Sequence, residues 1–234
     1  NIPVRDDIFY CLHNMKTIFT DKLPKRRFLS LCIYNNSCEI IPNIEKLGTV
    51  TFFDKKNRTL YQPWGTDLLD YEFKKPIFRK NNFVFWIGSI WNDVNNHGNV
   101  EEINNLKNVL KENNLKFIHL RFIPNWLNMT FVRLSRIAPA IGGRKQVEID
   151  YLPCRMFKNI SYGQLGITNI KKFKDILGDY YIEGDNIKEI IGKALSLSKE
   201  DYLYFTKKQQ EIIKNYTYKN AIENIINCLD LINY

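Results

Sequence analysis

From residue 83 onward, short apolar runs alternate with segments in which apolar side chains recur every three or four positions. That alternation predicts βα units built on a parallel sheet. FVFWIGSI over 83–90 is apolar enough for a buried strand and ends in a small-residue turn. Asn99 then stands as a helix N-cap with Glu102 three residues on, and Ile103, Leu106 and Leu110 follow at helical spacing. KFIHLRFI over 116–123 predicts the next strand, residues 128–134 a short helix, and RIAPAI over 136–141 a third strand interrupted by Pro139. GGRKQVEID over 142–150 reads as a polar, glycine-led loop. Pro153 is well suited to start a helix over CRMFKNISYG, with Gly163 as its stop.

Beyond it, LGIT over 165–168 is strand-like, NIKKFKDIL over 169–177 helical and YYIEG over 180–184 a short strand. Asp185 caps a helix bearing Ile187, Ile190, Ile191 and Ala194. The tail from about Glu200 to Ile232 reads as one or two long helices, with Ile212, Ile213, Ile222, Ile225, Ile226 and Leu229 as a core-facing stripe. The first 60 residues are organised differently, with strand-like DIFYCLH (7–13), FLSLCIY (28–34) and TVTFFD (49–54) separated by polar, basic loops. The expected organisation is the C-terminal part of one α/β domain over 1–60, a linker over 61–75 centred on YQPWGTDLL, and a Rossmann-like domain over 76–234.

Composition narrows the class. With 44% hydrophobic and 25% charged residues among 234, the chain is globular rather than disordered. A net charge of +9 favours polyanionic partners: nucleic acid, an anionic membrane, or phosphate-bearing small molecules. The Lys, Asn and Ile content is also what an AT-rich gene produces. Five scattered cysteines without a CxxC pair indicate neither a disulfide framework nor a zinc site, which fits a reducing, cytoplasmic setting. No apolar run reaches the roughly 18 residues of a membrane span, so a soluble protein with at most peripheral membrane contact is expected. The sequons at Asn57 and Asn159 are frequent by chance in an Asn-rich chain, and the absence of Met at position 1 fits a processed or truncated product.

Open α/β sheets collect ligands at the carboxyl ends of their strands, where helix N-termini offer N–H groups to phosphates. Three places fit. Gly88 and Ser89 follow the strand at 83–87. Arg144, Lys145 and Gln146 follow Gly142 and Gly143 in the polar loop. Arg155 and Lys158, three apart, share a face at the start of the helix behind Pro153. Cations at a helix N-terminus oppose the macrodipole, an arrangement that a bound anion relieves.

PCRMFKNISYGQLGIT resembles the donor-binding helix and strand of GT-B nucleotide-sugar glycosyltransferases, which typically reads P-x-K-x-x-E-x-x-A-x-G-x-P-V. Pro153 falls on the family's proline, Arg155 on its basic residue, Lys158 on its glutamate and Gly163 on its glycine. Gly88 matches the glycine closing the first strand of the C-terminal domain, and PWGTDLL the interdomain linker. The resemblance covers 61–234 and implies a GT-B-like fold: a Rossmann-type parallel sheet flanked by helices, with part of a second α/β domain at the N-terminus. It implies sugar transfer from a nucleotide-diphospho-sugar to a hydroxyl of a glycan, lipid or protein acceptor, with no cofactor and no metal. Gly88, Ser89, Arg144, Lys145, Gln146, Tyr151, Pro153, Arg155, Lys158 and Asn159 are then the donor-binding residues, Tyr151 stacking on the base. Lys158 cannot accept a ribose hydrogen bond as the family's glutamate does, so it is expected on phosphate, with Glu148 or Asp150 toward the ribose. His13, at a strand end, and Asp67, in the linker, are the candidate bases; His97 reads as a loop residue and His119 as structural. The competing class is a basic nucleic-acid-binding module, suggested by aromatics interleaved with cations in YEFKKPIFRKNNFVFW, although no specific nucleic-acid motif is present. A donor-binding domain without activity is the third.

Overall fold

A computed structural model describes Arg5 and residues 8–13, 28–95 and 97–232. The fold is mixed α/β and contains two sheets, each with parallel pairing. The first has five strands in the order β1-β2-β5-β4-β3: β1 (Tyr10–His13), β2 (Phe28–Cys32), β3 (Glu45–Gly48), β4 (Thr51–Asp54) and β5 (Thr59–Tyr61). β1 pairs with β2, and β2 with β5, in parallel; β3, β4 and β5 form an antiparallel meander. The predicted strand at 7–13 starts on a residue outside those described and is a strand from Tyr10. β3 and β5 were not expected: Glu45–Gly48 is exposed throughout and Thr59–Tyr61 is only three residues long, so neither carries an apolar run.

The second sheet pairs β6 (Phe83–Ile87) with β7 (Lys116–Leu120) in parallel, Trp86 opposite His119. β6 has a further neighbour on its other side, where Arg136 N–H donates to Phe83 O (2.7 Å). Residues 137–141 are apolar and buried, yet the strand predicted over 136–141 and residues 165–168 make only a Pro139–Ile167 bridge, because Pro139 has no N–H to donate. The expected strand at 180–184 is absent: Gly178–Tyr180 is a 3-10 turn, and Tyr181 and Ile182 are buried after it without a ladder.

Helices cover both faces of this sheet. α1 (Val100–Glu112) buries Ile103, Leu106, Val109 and Leu110, the spacing read from the sequence. α2 (Asn125–Leu134) starts three residues earlier than predicted. α3 (Arg144–Glu148) replaces the expected loop: Gln146 Oε1 accepts from Gly143 N–H (3.0 Å), closing a first turn at a position the glycines had suggested was open. α4 (Cys154–Ser161) follows Pro153 and ends where Gly163 takes φ 88°; a Cβ there would lie 2.4 Å from the Lys75 carbonyl oxygen. α5 (Phe173–Leu177) is followed by α6 (Ile187–Ser196), capped by Asn186 rather than Asp185, since it is the Asn186 side chain that accepts from Glu189 N–H. The tail is two helices, α7 (Lys199–Ile213) and α8 (Tyr218–Leu231).

The two sheets are joined by shared packing. Tyr34, Cys38, Val50 and Phe52 of the N-terminal part form one apolar cluster with Met156, Phe157 and Ile160 of α4, Phe173 of α5 and Ile213 of α7. α8 crosses back to cover β2, β4 and β5 with Ile225, Cys228 and Leu229. Ile222 and Ile226, predicted in the core, are instead about half exposed, because Ala221 and Cys228 face inward on that helix. The connecting segment is pinned by Thr66 N–H to Tyr216 O (2.9 Å) and Thr66 Oγ1 to Ser161 Oγ (2.7 Å). Buried glutamines hold the backbone where the ladder is missing: Gln209 accepts from Gly166 N–H (2.7 Å) and donates to Gly166 O (3.2 Å) and Tyr180 O (2.8 Å). Among the described residues no helix is long and apolar enough to cross a membrane.

Candidate functional site

Strand β6 alternates sides, so Val84 and Trp86 are buried on the α1 face while Phe85 and Ile87 turn toward α2. Gly88 ends the strand at φ 125°, a region closed to side chains in practice. The residue also lies close to Arg155: a Cβ on Gly88 would lie 2.5 Å from Arg155 Nη2. α4 thus brings its second residue to the carboxyl end of β6. The Arg155 guanidinium lies over the Trp86 ring, 3.8 Å from its centroid.

No acidic side chain among the described residues pairs with Arg155, and burial alone pushes its pKa down to about 10. The Trp86 indole N–H is also buried without an acceptor among the described residues. Pro153 caps α4 with no side-chain acceptor, so the first N–H groups of that helix lack a cap. Beside them lies a cavity of about 190 Å³ lined by Phe85, Ile87, Asn128, Pro139, Arg155 and Lys158 among others. A cation and an uncapped helix N-terminus meet here, and no acidic side chain among the described residues pairs with that cation.

Lys158, one turn on, is differently placed. Its Nζ pairs with Asp67 Oδ2 at 3.2 Å, and the Tyr162 hydroxyl donates to both Asp67 oxygens (2.9 and 3.1 Å). Burial opposes the Lys158 charge, but Asp67 and Tyr218 outweigh it and hold the pKa above the ordinary value. Lys158 therefore reaches the cavity wall with its charge already matched, whereas Arg155 does not. Asp67 in turn accepts from both Lys158 and Tyr162, which ties it to α4.

The other predicted residues are spread more widely. His13 ends β1 and is exposed, and its Nε2 accepts from Trp64 Nε1 (3.1 Å), so in that tautomer Nδ1 carries the proton. Arg144 and Lys145 are exposed on α3 and both pair with Glu148 (3.0 and 3.5 Å); the hydrogen bond from Arg144 is the main reason the Glu148 pKa is lowered. Gln146 is used in the α3 cap, and Asn159 is buried, donating to Ala138 O (2.7 Å). Tyr151 is half buried, which raises its pKa. Asp150 sits at φ 53°, its pKa raised by burial. Ser89 is exposed beside Gly88. The structure thus brings Gly88, Ser89, Pro153, Arg155 and Lys158 to one place, with Arg144 and Lys145 on the adjoining α3 and His13 on the other sheet. In the segment offered as a nucleic-acid platform, Phe78 packs on the core beneath Arg136 (4.4 Å) and Arg79 donates to Arg133 O, while Tyr71 is exposed.

Trp86 was not singled out from the sequence. The one signal was the register of FVFWIG, which puts Trp86 and Gly88 on one face, but nothing local shows that Arg155 crosses to it. Among the described residues no cluster of three or more His, Cys, Asp or Glu could hold a metal ion. No protein-family model, curated protein or solved structure matches the chain.

Proposed function

We propose that this chain is a glycosyltransferase of the GT-B kind that binds the diphosphate of a nucleotide-sugar donor where β6 meets α4, and passes the sugar to an acceptor hydroxyl. The observation that supports this reading is Arg155: a desolvated guanidinium, stacked on an indole and without an acidic partner among the described residues, beside a glycine and an uncapped helix start. Folding alone favours neutralising or exposing such a charge. A diphosphate provides the missing counter-charge with geometry suited to a guanidinium fork. The same contact strengthens as negative charge develops on the departing diphosphate, which is how a cation and N–H groups lower the barrier to sugar transfer.

Calorimetric titration with UDP, GDP, dTDP and CMP, for the parent and for Arg155→Met, tests the binding step. One nucleotide is expected to bind the parent, with at least about tenfold weaker binding to the variant. Equal affinity of both forms rejects the assignment of Arg155. Binding by none of the nucleotides rejects the donor. Release of nucleotide from the matching nucleotide-sugar in the presence of acceptor hydroxyls then tests transfer itself.

A further inference from the structure

His119 projects from β7 next to the end of β6, and its Nε2 lies 2.7 Å from Gly88 O. A carbonyl oxygen only accepts, so Nε2 carries the proton and donates. Gly88 N–H also points to β7, donating to Leu120 O at 3.2 Å. Both polar groups of Gly88 are therefore committed to the β7 side. In a planar trans peptide the C=O and the following N–H point in opposite directions. The Ser89 N–H is thus turned away from β7, toward the flank where residues 136–141 run and α4 begins. It has no acceptor among the described residues.

We propose that His119 is a positioning residue for the anion site, and that the Ser89 N–H is a second phosphate donor beside Arg155. This rests on the diphosphate reading above. Without the imidazole, Gly88 N–H to Leu120 O (3.2 Å) and Asn99 Nδ2 to Ser89 O (3.3 Å) still hold the flanking groups, but nothing among the described residues fixes the Gly88 carbonyl, and a glycine at φ 125° lets that peptide plane tilt at little cost. With it, the plane is fixed, and the N–H is aimed before ligand arrives, which avoids an ordering cost on binding. Two features argue for this role over simple strand packing. His119 is exposed, so its imidazole adds little to the core, and the bond reaches past the last ladder pair, Ile87 with Leu120, to the residue that approaches Arg155.

The test uses inorganic pyrophosphate as the probe, followed by calorimetry and by the amide signal of Ser89 in ¹⁵N-labelled protein. The parent is expected to bind, with the Ser89 signal shifting on titration. His119→Phe keeps a ring but loses the donor, and is expected to bind about tenfold more weakly with little Ser89 shift. His119→Gln restores an N–H donor and is expected to recover most of the affinity. Phe and Gln variants that bind as the parent does overturn the role of His119 alone. Equal losses in both variants also overturn it, because the ring rather than the donor then matters. A parent that binds neither pyrophosphate nor any nucleoside diphosphate overturns the diphosphate reading and this inference together.

Discussion

Arg155→Met is expected to stabilise the fold while weakening anion binding by at least about tenfold. A guanidinium whose pKa is lowered to about 10 by burial carries a desolvation cost of about 3 kcal/mol in its charged form. The sign follows from linkage: the folded state disfavours the proton, so the cost is fully present below about pH 10 and is relieved only as pH rises above that toward the ordinary guanidinium range. At neutral pH the protein carries all of it. The stack on Trp86 offsets part, about 1–2 kcal/mol for a desolvated cation on an indole. Methionine has a similar length, no charge and a favourable sulfur contact with the same ring. The net expectation is a gain of about 1–2 kcal/mol at pH 7, measured by urea denaturation with the slope m unchanged. Pyrophosphate should stabilise the parent more than the variant at every concentration. A variant less stable than the parent by about 1 kcal/mol or more, on the order of an ordinary core substitution, refutes the reasoning, since Arg155 would then be a structural group with a partner.

Gly88→Ala should destabilise by about 1–3 kcal/mol, from a positive φ and a methyl 2.5 Å from Arg155 Nη2, with weakened pyrophosphate binding seen by calorimetry. Asp67→Asn removes the charge that holds the Lys158 pKa up. The parent gains that stability fully below pH 10.5 and loses it as pH rises through the folded value, so denaturation near neutral pH should show a loss of about 1 kcal/mol that shrinks above pH 10.5. Gln209→Ala strands the N–H and C=O of Gly166 and the Tyr180 carbonyl, and should cost about 2–4 kcal/mol in thermal or urea unfolding without changing pyrophosphate affinity.

Local chemistry fixed a good deal of this protein. Periodicity located β6, α1, β7 and α4 because each buries one face whose spacing is written in consecutive residues, as with Ile103, Leu106 and Leu110. Gly163 was legible as a helix stop because only a glycine takes φ 88° against the Lys75 carbonyl without strain. The positions of Gly88 and Arg155 at a strand end and a helix start were legible too. Their functional difference from Lys158 was not. Arg155 and Lys158 are both cations at the start of one helix, and only long-range packing decides that Lys158 meets Asp67, 91 residues away, while Arg155 meets an indole and no acid among the described residues. The same holds for Gln209 replacing a strand ladder, for α8 turning Ala221 and Cys228 inward, and for His119 reaching Gly88. A sequence records which groups are charged and which faces are apolar. Which charge is left unmatched in a desolvated place depends on what the fold carries to it, and that is set by tertiary structure.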